Sequence, residues 1–345
     1  MNSEGKYEEL ENLRRKVLEG RQKILGSSIH KGVNIMNTKL VFHLARLVLV
    51  GLVIYYAQFA LADNVIETDL TSSEAVDLRQ DLFAPNKLVY IEIRMAPVDW
   101  EFVRTDKRNY SWKRASNVTV NGTVLENVGI RKKGFIGSVD SSKPGLKLKF
   151  DKYVEKQLVF GMERMTLNNN VSDPSFIKQY LTYRLFREAS MPAPRCNFAR
   201  VRVNGADLGL YTNVEPIKKS FLLQHFTSNP GDLYEGTMSD FRQEWMNTFE
   251  NKTKSTDKEK TRIKAVTTAL TLPDDQFMEK TSKLVDFEDF CKYSALEVLL
   301  THADGFTNKG NNYFVYFDPG PDKMYAIPWG VDKTFIPSSY QLPPI

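Results

Sequence analysis

Cysteine is nearly absent: Cys196 and Cys291 are the only two in 345 residues. Two thiols cannot form a cysteine-rich zinc cluster and allow at most one disulfide, which nothing in the sequence demands. A basic excess is also missing from most of the chain. The first 62 residues hold nine Lys or Arg against five Asp or Glu, leaving 38 basic against 37 acidic residues beyond them. The formal charge of +5 therefore belongs mostly to the N-terminal leader. A nucleic-acid binder would keep its positive charge in the folded part, so that class is set aside. Internal repeats and low-complexity tracts are lacking too, which removes solenoids and fibrous arrays. Five N-x-S/T sequons, at Asn109, Asn117, Asn121, Asn170 and Asn251, matter only in a eukaryotic source.

One long apolar run is present. "MNTKLVFHLARLVLVGLVIYYAQFALADNV" begins at Met36 with a short basic lead, continues apolar from Leu40 to Ala60 apart from His43 and Arg46, and ends in Ala60-Leu61-Ala62. Read from Met36, residues 36–62 form a signal peptide cut after Ala62, and the rest is secreted, periplasmic or at the cell surface. Read from Met1, the polar prefix 1–35 precedes a signal anchor, and membrane attachment runs only through that uncleaved segment. A start site placed too far upstream would explain the prefix.

Residues 63–86 are polar, end near Pro85 and read as a linker. From Lys87 the texture is that of strands: "KLVYIEIRM" alternates, Asn121-Gly122 marks a two-residue hairpin, and "GLKLKF" sets Leu146, Leu148 and Phe150 on one face with Lys147 and Lys149 on the other. "SDPSFIKQYLTYRLFREAS" predicts a helix with Asp173 as its cap, Pro174 at its first position and Ile177, Leu181 and Leu185 as its apolar stripe. Two strands follow around Asn204-Gly205, then a short helix at "KKSFLLQHF". Residues 237–283 are charged and carry weak periodicity. "DFEDFCKYSALEVLL" predicts a helix with Phe287, Phe290, Cys291, Ser294 and Val298 as its stripe. This order gives an α+β chain of two lobes rather than a doubly wound sheet.

"THADGFTNKGNNYFVYF" carries His302, Asp304, Asn311 and Asn312 just ahead of an aromatic strand. The turn Asp318-Pro319-Gly320 then returns the chain along Lys323–Pro328, placing Asn312 opposite Pro328. The loop before the first strand and Asp332 after the second emerge at one end of the hairpin. Two carboxylates and an amide oxygen are hard ligands suited to Mg²⁺ or Mn²⁺ and unsuited to zinc. A carboxylate left off the metal can accept a hydroxyl proton. Taken singly, each residue also has a structural reading, as turn, cap or packing residue.

The segment Lys87–Phe335 resembles the CotH family, the spore coat protein H-like atypical protein kinases. The resemblance rests on "GIRKKGFIGS", "KPGLKLKF", "LNNNVSDPSFIKQYLTYRLFREASMPAPR", "VRVNGADLGLYTNVEPI", "THADGFTNKGNNYFVY" and "IPWGVDKTF", in the family's order. It implies a two-lobed kinase-like fold over 87–345, with an N-lobe of antiparallel sheet plus helix to about residue 215. A C-lobe of helices with a late hairpin follows from about 216. It implies ATP, Mg²⁺ or Mn²⁺, and a protein substrate with a Ser/Thr acceptor. Asp304 is then the catalytic base, Asn311 or Asn312 the metal-binding amide, and Asp332 the aspartate that holds the cation on the phosphates. Lys147 or Lys149 would neutralise phosphate charge, and the loop bearing Gly134 and Gly137 would offer backbone N–H groups. Glu215 and Ile217 would meet adenine through their backbones, and Glu188 would pair with the lysine. Arg131, Lys132 and Lys133 read as a solvated charge run.

Where the family pattern often has Pro-Trp-Asp-x-Asp, this chain has Gly330 in place of the first aspartate, so Asp332 is the one carboxylate of that segment. A kinase C-lobe normally continues well past this point, which leaves open that the chain is a fragment. A catalytically inactive surface or adhesive protein of the same fold is the alternative. A metal-dependent phosphoesterase would share the carboxylates but not need the lysines.

Overall fold

A computed structural model of the protein describes residues 80–105, 111–134, 140–226, 231–253 and 259–336. These fall within one compact unit, Ala75–Ile345. The segment 36–62, most of the linker and Gly137 lie outside the described residues. No described helix is long and apolar enough to cross a membrane.

Seven strands close into a barrel in the order β1-β2-β3-β4-β5-β7-β6. They are β1 (Leu88–Met95), β2 (Lys113–Val120), β3 (Thr123–Lys133), β4 (Gly145–Lys149), β5 (Arg164–Asn168), β6 (Cys196–Val203) and β7 (Ala206–Val214). The two Asn-Gly pairs do what their chemistry predicts. Asn121 and Gly122 at φ 46° and 87°, and Asn204 and Gly205 at φ 49° and 85°, make the left-handed two-residue turns of β2–β3 and β6–β7. The strand pairs are antiparallel except one. β1 runs parallel to β6, Leu88 beside Phe198 through Ile93 beside Val203, and this pair closes the barrel that the sequence suggests as an antiparallel sheet. Inward residues such as Val89, Ile91, Ile93, Leu146, Leu148 and Phe150 fill the interior. Helix α1 (Pro97–Thr105) lies in the β1–β2 connection.

Helix α2, Lys178–Glu188, begins four residues later than an Asp173 cap suggests. Phe176 takes a left-handed φ of 63°, which a helix cannot accommodate. Asp173 still serves the start, its carboxylate accepting the backbone N–H of Ser175 at 3.1 Å and of Lys178 at 2.9 Å. The stripe is rotated as well: Ile177 and Leu185 are exposed, and the buried face carries Gln179, Thr182, Tyr183 and Phe186.

Beyond the barrel, a second sheet has the order β11-β10-β8-β9, with β8 (Asp232–Gly236), β9 (Glu250–Asn251), β10 (Tyr313–Asp318) and β11 (Lys323–Pro328). Helices α3 (Lys219–His225), α4 (Thr261–Ala269), α5 (Asp274–Ser282), α6 (Phe287–Leu299) and α7 (Phe306–Lys309) accompany it. The β10–β11 hairpin forms where predicted but one residue out of register. Tyr313, not Asn312, pairs with Pro328, and Asp318 pairs with Lys323. Asn312 has φ 54°, so it cannot extend the strand and is left at its mouth. On α6 the inward residues are Tyr293 and Glu297, whereas Val298 and Cys291 are exposed. Cys196 is buried and both thiols are free, so the one disulfide the sequence permits is not formed.

Candidate active site

The loop that carries Asp304 is held from beneath by a buried carboxylate. Glu297, near the end of α6, is 0% exposed. Its Oε1 accepts from Tyr293 Oη at 2.9 Å and Phe306 N at 3.2 Å, and lies 3.0 Å from His302 Nδ1. Its Oε2 accepts from Thr307 N at 2.7 Å. One acidic side chain thus satisfies the first free N–H groups of α7 and fixes the turn containing Asp304. A Cβ on Gly305 would collide with both Glu297 and His302, so only glycine fits between them. His302, a site candidate on sequence, is a 2%-exposed partner of Glu297.

The segments that carry Asp304, Asn312 and Asp332 meet at the end of the hairpin. Asn312 Nδ2 donates to the Asp304 carbonyl at 3.0 Å. Ala303 N donates to the Lys333 carbonyl at 2.9 Å, binding the loop to the one-turn helix Val331–Lys333 on which Asp332 rides. Lys333 Nζ reaches back to Asp304 Oδ2 at 3.2 Å. Asn311 and Asn312, interchangeable on sequence, differ here. Asn311 Oδ1 accepts Met238 N at 3.3 Å and ties the loop to the end of β8. Asn312 Oδ1 accepts no hydrogen bond among the described residues and lies against Gly330, whose added Cβ would stand 2.6 Å from it. The Asp332 carboxylate likewise has no hydrogen bond or close ion pair among the described residues. Among those residues, no three His, Cys, Asp or Glu converge on one point. A cation here would therefore meet one or two carboxylates and an amide oxygen, leaving room for water and phosphate oxygens. That donor set fits Mg²⁺ or Mn²⁺.

Across the cleft, strand alternation sorts the basic residues. Arg131 stands opposite Lys147 in the β3–β4 register and Lys133 opposite Gly145, so Arg131, Lys133, Lys147 and Lys149 share the outer face of the barrel. Lys132 points the other way; it is 3% exposed, and its Nζ donates to the Arg104 carbonyl at 2.7 Å. The "solvated charge run" is thus no run at all, because its members divide between two faces. Lys149 is occupied by Asp151 at 2.9 Å, which leaves Lys147 as the phosphate candidate of the pair. Burial, then the positive charges of Lys133 and Arg131, push the Lys147 ammonium from 10.5 down to about 8, with Glu235 pulling the other way. Burial also lowers Lys133, while the carboxylates of Asp332 and Glu235 raise it. Lys133 thereby links the cationic strands to the metal-ligand candidate. Alternation within "GIRKKG" was the signal for it in the sequence. Glu235 itself pairs with Lys252 at 2.5 Å. Glu188 lies on the exposed side of α2 and bridges Arg184 at 2.7 Å, and no pair of it with a barrel lysine is seen among the described residues.

The connection between the barrel and the second sheet bears on the adenine expectation. The Glu215 N–H donates to the Arg195 carbonyl at 2.9 Å, and its 1%-exposed carboxylate takes a two-pronged bond from the Arg195 guanidinium at 3.0 and 2.8 Å. Its N–H is therefore already taken, and the side chain is a structural latch. The Ile217 side chain is buried with Phe221, Leu233 and Phe314. Next to this connection a cavity of about 200 Å³ is lined by Met162, Arg164, Pro216, Lys218 and Leu223, among others. Burial and the neighbouring charges of Arg164 and Lys252 lower Lys218. The charges of Lys252 and Glu235 act on both Lys218 and Lys147. Gly134 ends β3 with φ 110°, a conformation that glycine tolerates. A larger cavity of about 520 Å³ lies on the outer face of β1, β2, β6 and β7, lined by Tyr90, Glu92, Arg200 and Asp207; none of these cleft residues borders it.

A family model described as "CotH kinase protein" matches residues 130–340, which contain the loop, the hairpin and the cationic strands. The chain is also similar to the inner spore coat protein H of Bacillus subtilis (strain 168), with 26% identity over 186 residues. That stretch is 51% of this chain and 51% of the relative, so the chain spans about half the length of the curated protein it matches. With the family model covering well over half of its residues, the chain belongs to the CotH kinase protein family.

Proposed function

We propose that this chain is an exported, metal-dependent protein kinase that moves the γ-phosphate of ATP to Ser or Thr hydroxyls of secreted or surface proteins. The observation that carries the reading is the junction of Asp304, Asn312 and the Asp332 turn through bonds of 2.9 to 3.2 Å, with the charge of Asp332 acting on Lys133 of the barrel. In this reading the cavity beside Pro216 receives the base, and Lys147 and Lys133 neutralise the phosphates. Asp332 and Asn312 Oδ1 hold the cation. A bound Mg²⁺ or Mn²⁺ would draw charge from the phosphate oxygens. Asp304 accepts the acceptor hydroxyl's proton, since its carboxylate has Lys333 as its one charged partner among the described residues. Export rests on the segment 36–62.

One observation favours the inactive alternative. Gly330 leaves Asp332 as the only carboxylate on the returning segment, so metal affinity is weaker than with two. The test covers both readings. The exported part of the chain is incubated with labelled ATP, Mn²⁺ and dephosphorylated casein, beside Asp304→Asn and Asp332→Asn. Label on casein that both substitutions abolish supports the kinase. Transfer that survives them refutes the site. Absence of any Mn²⁺-dependent thermal shift with ATP favours the inactive protein, and phosphate release from esters without ATP identifies a phosphoesterase.

A further inference from the structure

Lys333 follows Asp332 directly, yet metal binding does not account for it. The two side chains of this turn act on different groups: Lys333 reaches the base candidate Asp304 at 3.2 Å, while the charge of Asp332 acts on Lys133. The pair is 39% and 22% exposed, so water screens it and it contributes little to stability. Its place in the cleft says more. If the kinase reading holds, an acceptor hydroxyl must approach Asp304 while a phosphoryl group bearing negative charge approaches from the Lys147 side. A bare carboxylate there would repel that group.

Resting on that reading, we infer that Lys333 is a further catalytic residue, the cation placed between Asp304 and the transferring phosphoryl group. As the acceptor oxygen–phosphorus bond forms, the bond from the γ-phosphorus to the ADP oxygen breaks and ADP leaves with the electron pair. The hydroxyl proton passes to Asp304. Lys333 keeps its proton throughout and exchanges its hold on Asp304, which loses its charge, for the phosphoryl oxygens. The backbone bond from Ala303 N to the Lys333 carbonyl keeps this side chain in reach of the loop at each stage. Partial exposure leaves it accessible to a ligand.

The experiment compares the wild-type chain with Lys333→Met, Lys333→Arg and Asp304→Asn, using ATP, Mn²⁺ and casein. Lys333→Met is expected to lower kcat about a hundredfold, the usual effect of removing one charge-stabilising group, with KM for ATP nearly unchanged. Lys333→Arg should recover part of the loss, because it keeps the charge. A second readout needs no turnover: thermal stabilisation by ADP–Mg²⁺ with and without aluminium fluoride, which imitates the phosphoryl group in transfer. The extra stabilisation from fluoride should vanish in Lys333→Met, while the ADP–Mg²⁺ shift stays. A kcat for Lys333→Met within about threefold of wild type, or an intact fluoride increment, overturns the assignment while the kinase reading stands. A wild-type chain that labels no casein and shows no nucleotide shift overturns both.

Discussion

On the proposed reading, the lowered Lys147 ammonium gives nucleotide affinity a pH dependence of definite sign. Its value near 8 reflects burial among Lys133 and Arg131. A phosphate beside it would favour the charged form and return it toward 10.5. Below pH 8 the group is already charged and binding needs no proton. Above pH 8 each binding event must take one up, so affinity falls as pH rises and the decline ends near 10.5. Across pH 7 to 9 this linkage is expected to weaken ATP binding about tenfold. Stability of the free protein moves oppositely. The folded-state value lies below the unfolded one, so the unfavourable charge is fully present below pH 8. It is relieved as pH climbs from 8 toward 10.5, where the unfolded chain holds more protons. Lys133, also lowered by burial, acts in the same direction. The assay is the dissociation constant of a fluorescent ADP analogue with Mg²⁺, measured by titration from pH 7 to 9.5. Lys147→Arg is the control, since a guanidinium stays charged throughout and should flatten most of the profile. A wild-type affinity that is flat across this range, or a slope unchanged in Lys147→Arg, refutes the placement of phosphate at Lys147.

Gly330→Ala should destabilise the fold by about 1–3 kcal/mol, because φ of 57° strains any side chain and the new Cβ meets Asn312 Oδ1 at 2.6 Å. The displaced Asn312 should also weaken the Mn²⁺-dependent thermal shift with ATP, and a variant that keeps both stability and shift argues against the Asn312 ligand. Glu297→Leu strips the partner from Tyr293 on α6 and from His302, Phe306 N and Thr307 N around the loop, and should cost about 3–5 kcal/mol in urea unfolding. A cost under about 1 kcal/mol would mean that Glu297 does not hold the Asp304 loop.

Local chemistry was readable wherever it is decided by neighbours in sequence. Asn-Gly pairs set two hairpins, alternation in "GLKLKF" separated the buried leucines from the lysines, and Asp318-Pro319-Gly320 brought Asp304 and Asp332 to one end. What failed depended on single backbone conformations or on distant strands. A left-handed Phe176 delayed α2, and a left-handed Asn312 shifted the hairpin by one residue. Parallel pairing of β1 with β6 joins residues about a hundred positions apart and has no local signature. The helix stripes were misread because apolar spacing was taken to mark the buried side. On α2 and α6 that side includes Gln179, Thr182 and Glu297, polar groups that periodicity counts as exposed. Lys133 was passed over for a related reason, since three consecutive basic residues look like solvated charge until strand alternation divides them.

The polar face of α2 also explains how one frame can hold both the cations and the carboxylates. Toward the barrel, Gln179 takes a bond from Asn168 at 3.2 Å and gives one to Asn170 at 3.1 Å, and Asn170 in turn accepts from Thr212 on β7 at 2.8 Å. Toward the second sheet, Thr182 meets Thr334 at 2.8 Å, and the Tyr183 hydroxyl lies at the backbone of Gly330 and Val331. An apolar stripe would bury as much surface, but leucines slide and repack at little cost, whereas a buried hydrogen bond set off register leaves unsatisfied groups. The helix therefore fixes the distance between Lys147 on the barrel and Asp332 on its turn more sharply than apolar packing could. Phosphoryl transfer tolerates little error in that distance. A protein that only displayed this fold would have less need of such a face, and this counts toward the catalytic reading and against the inactive one.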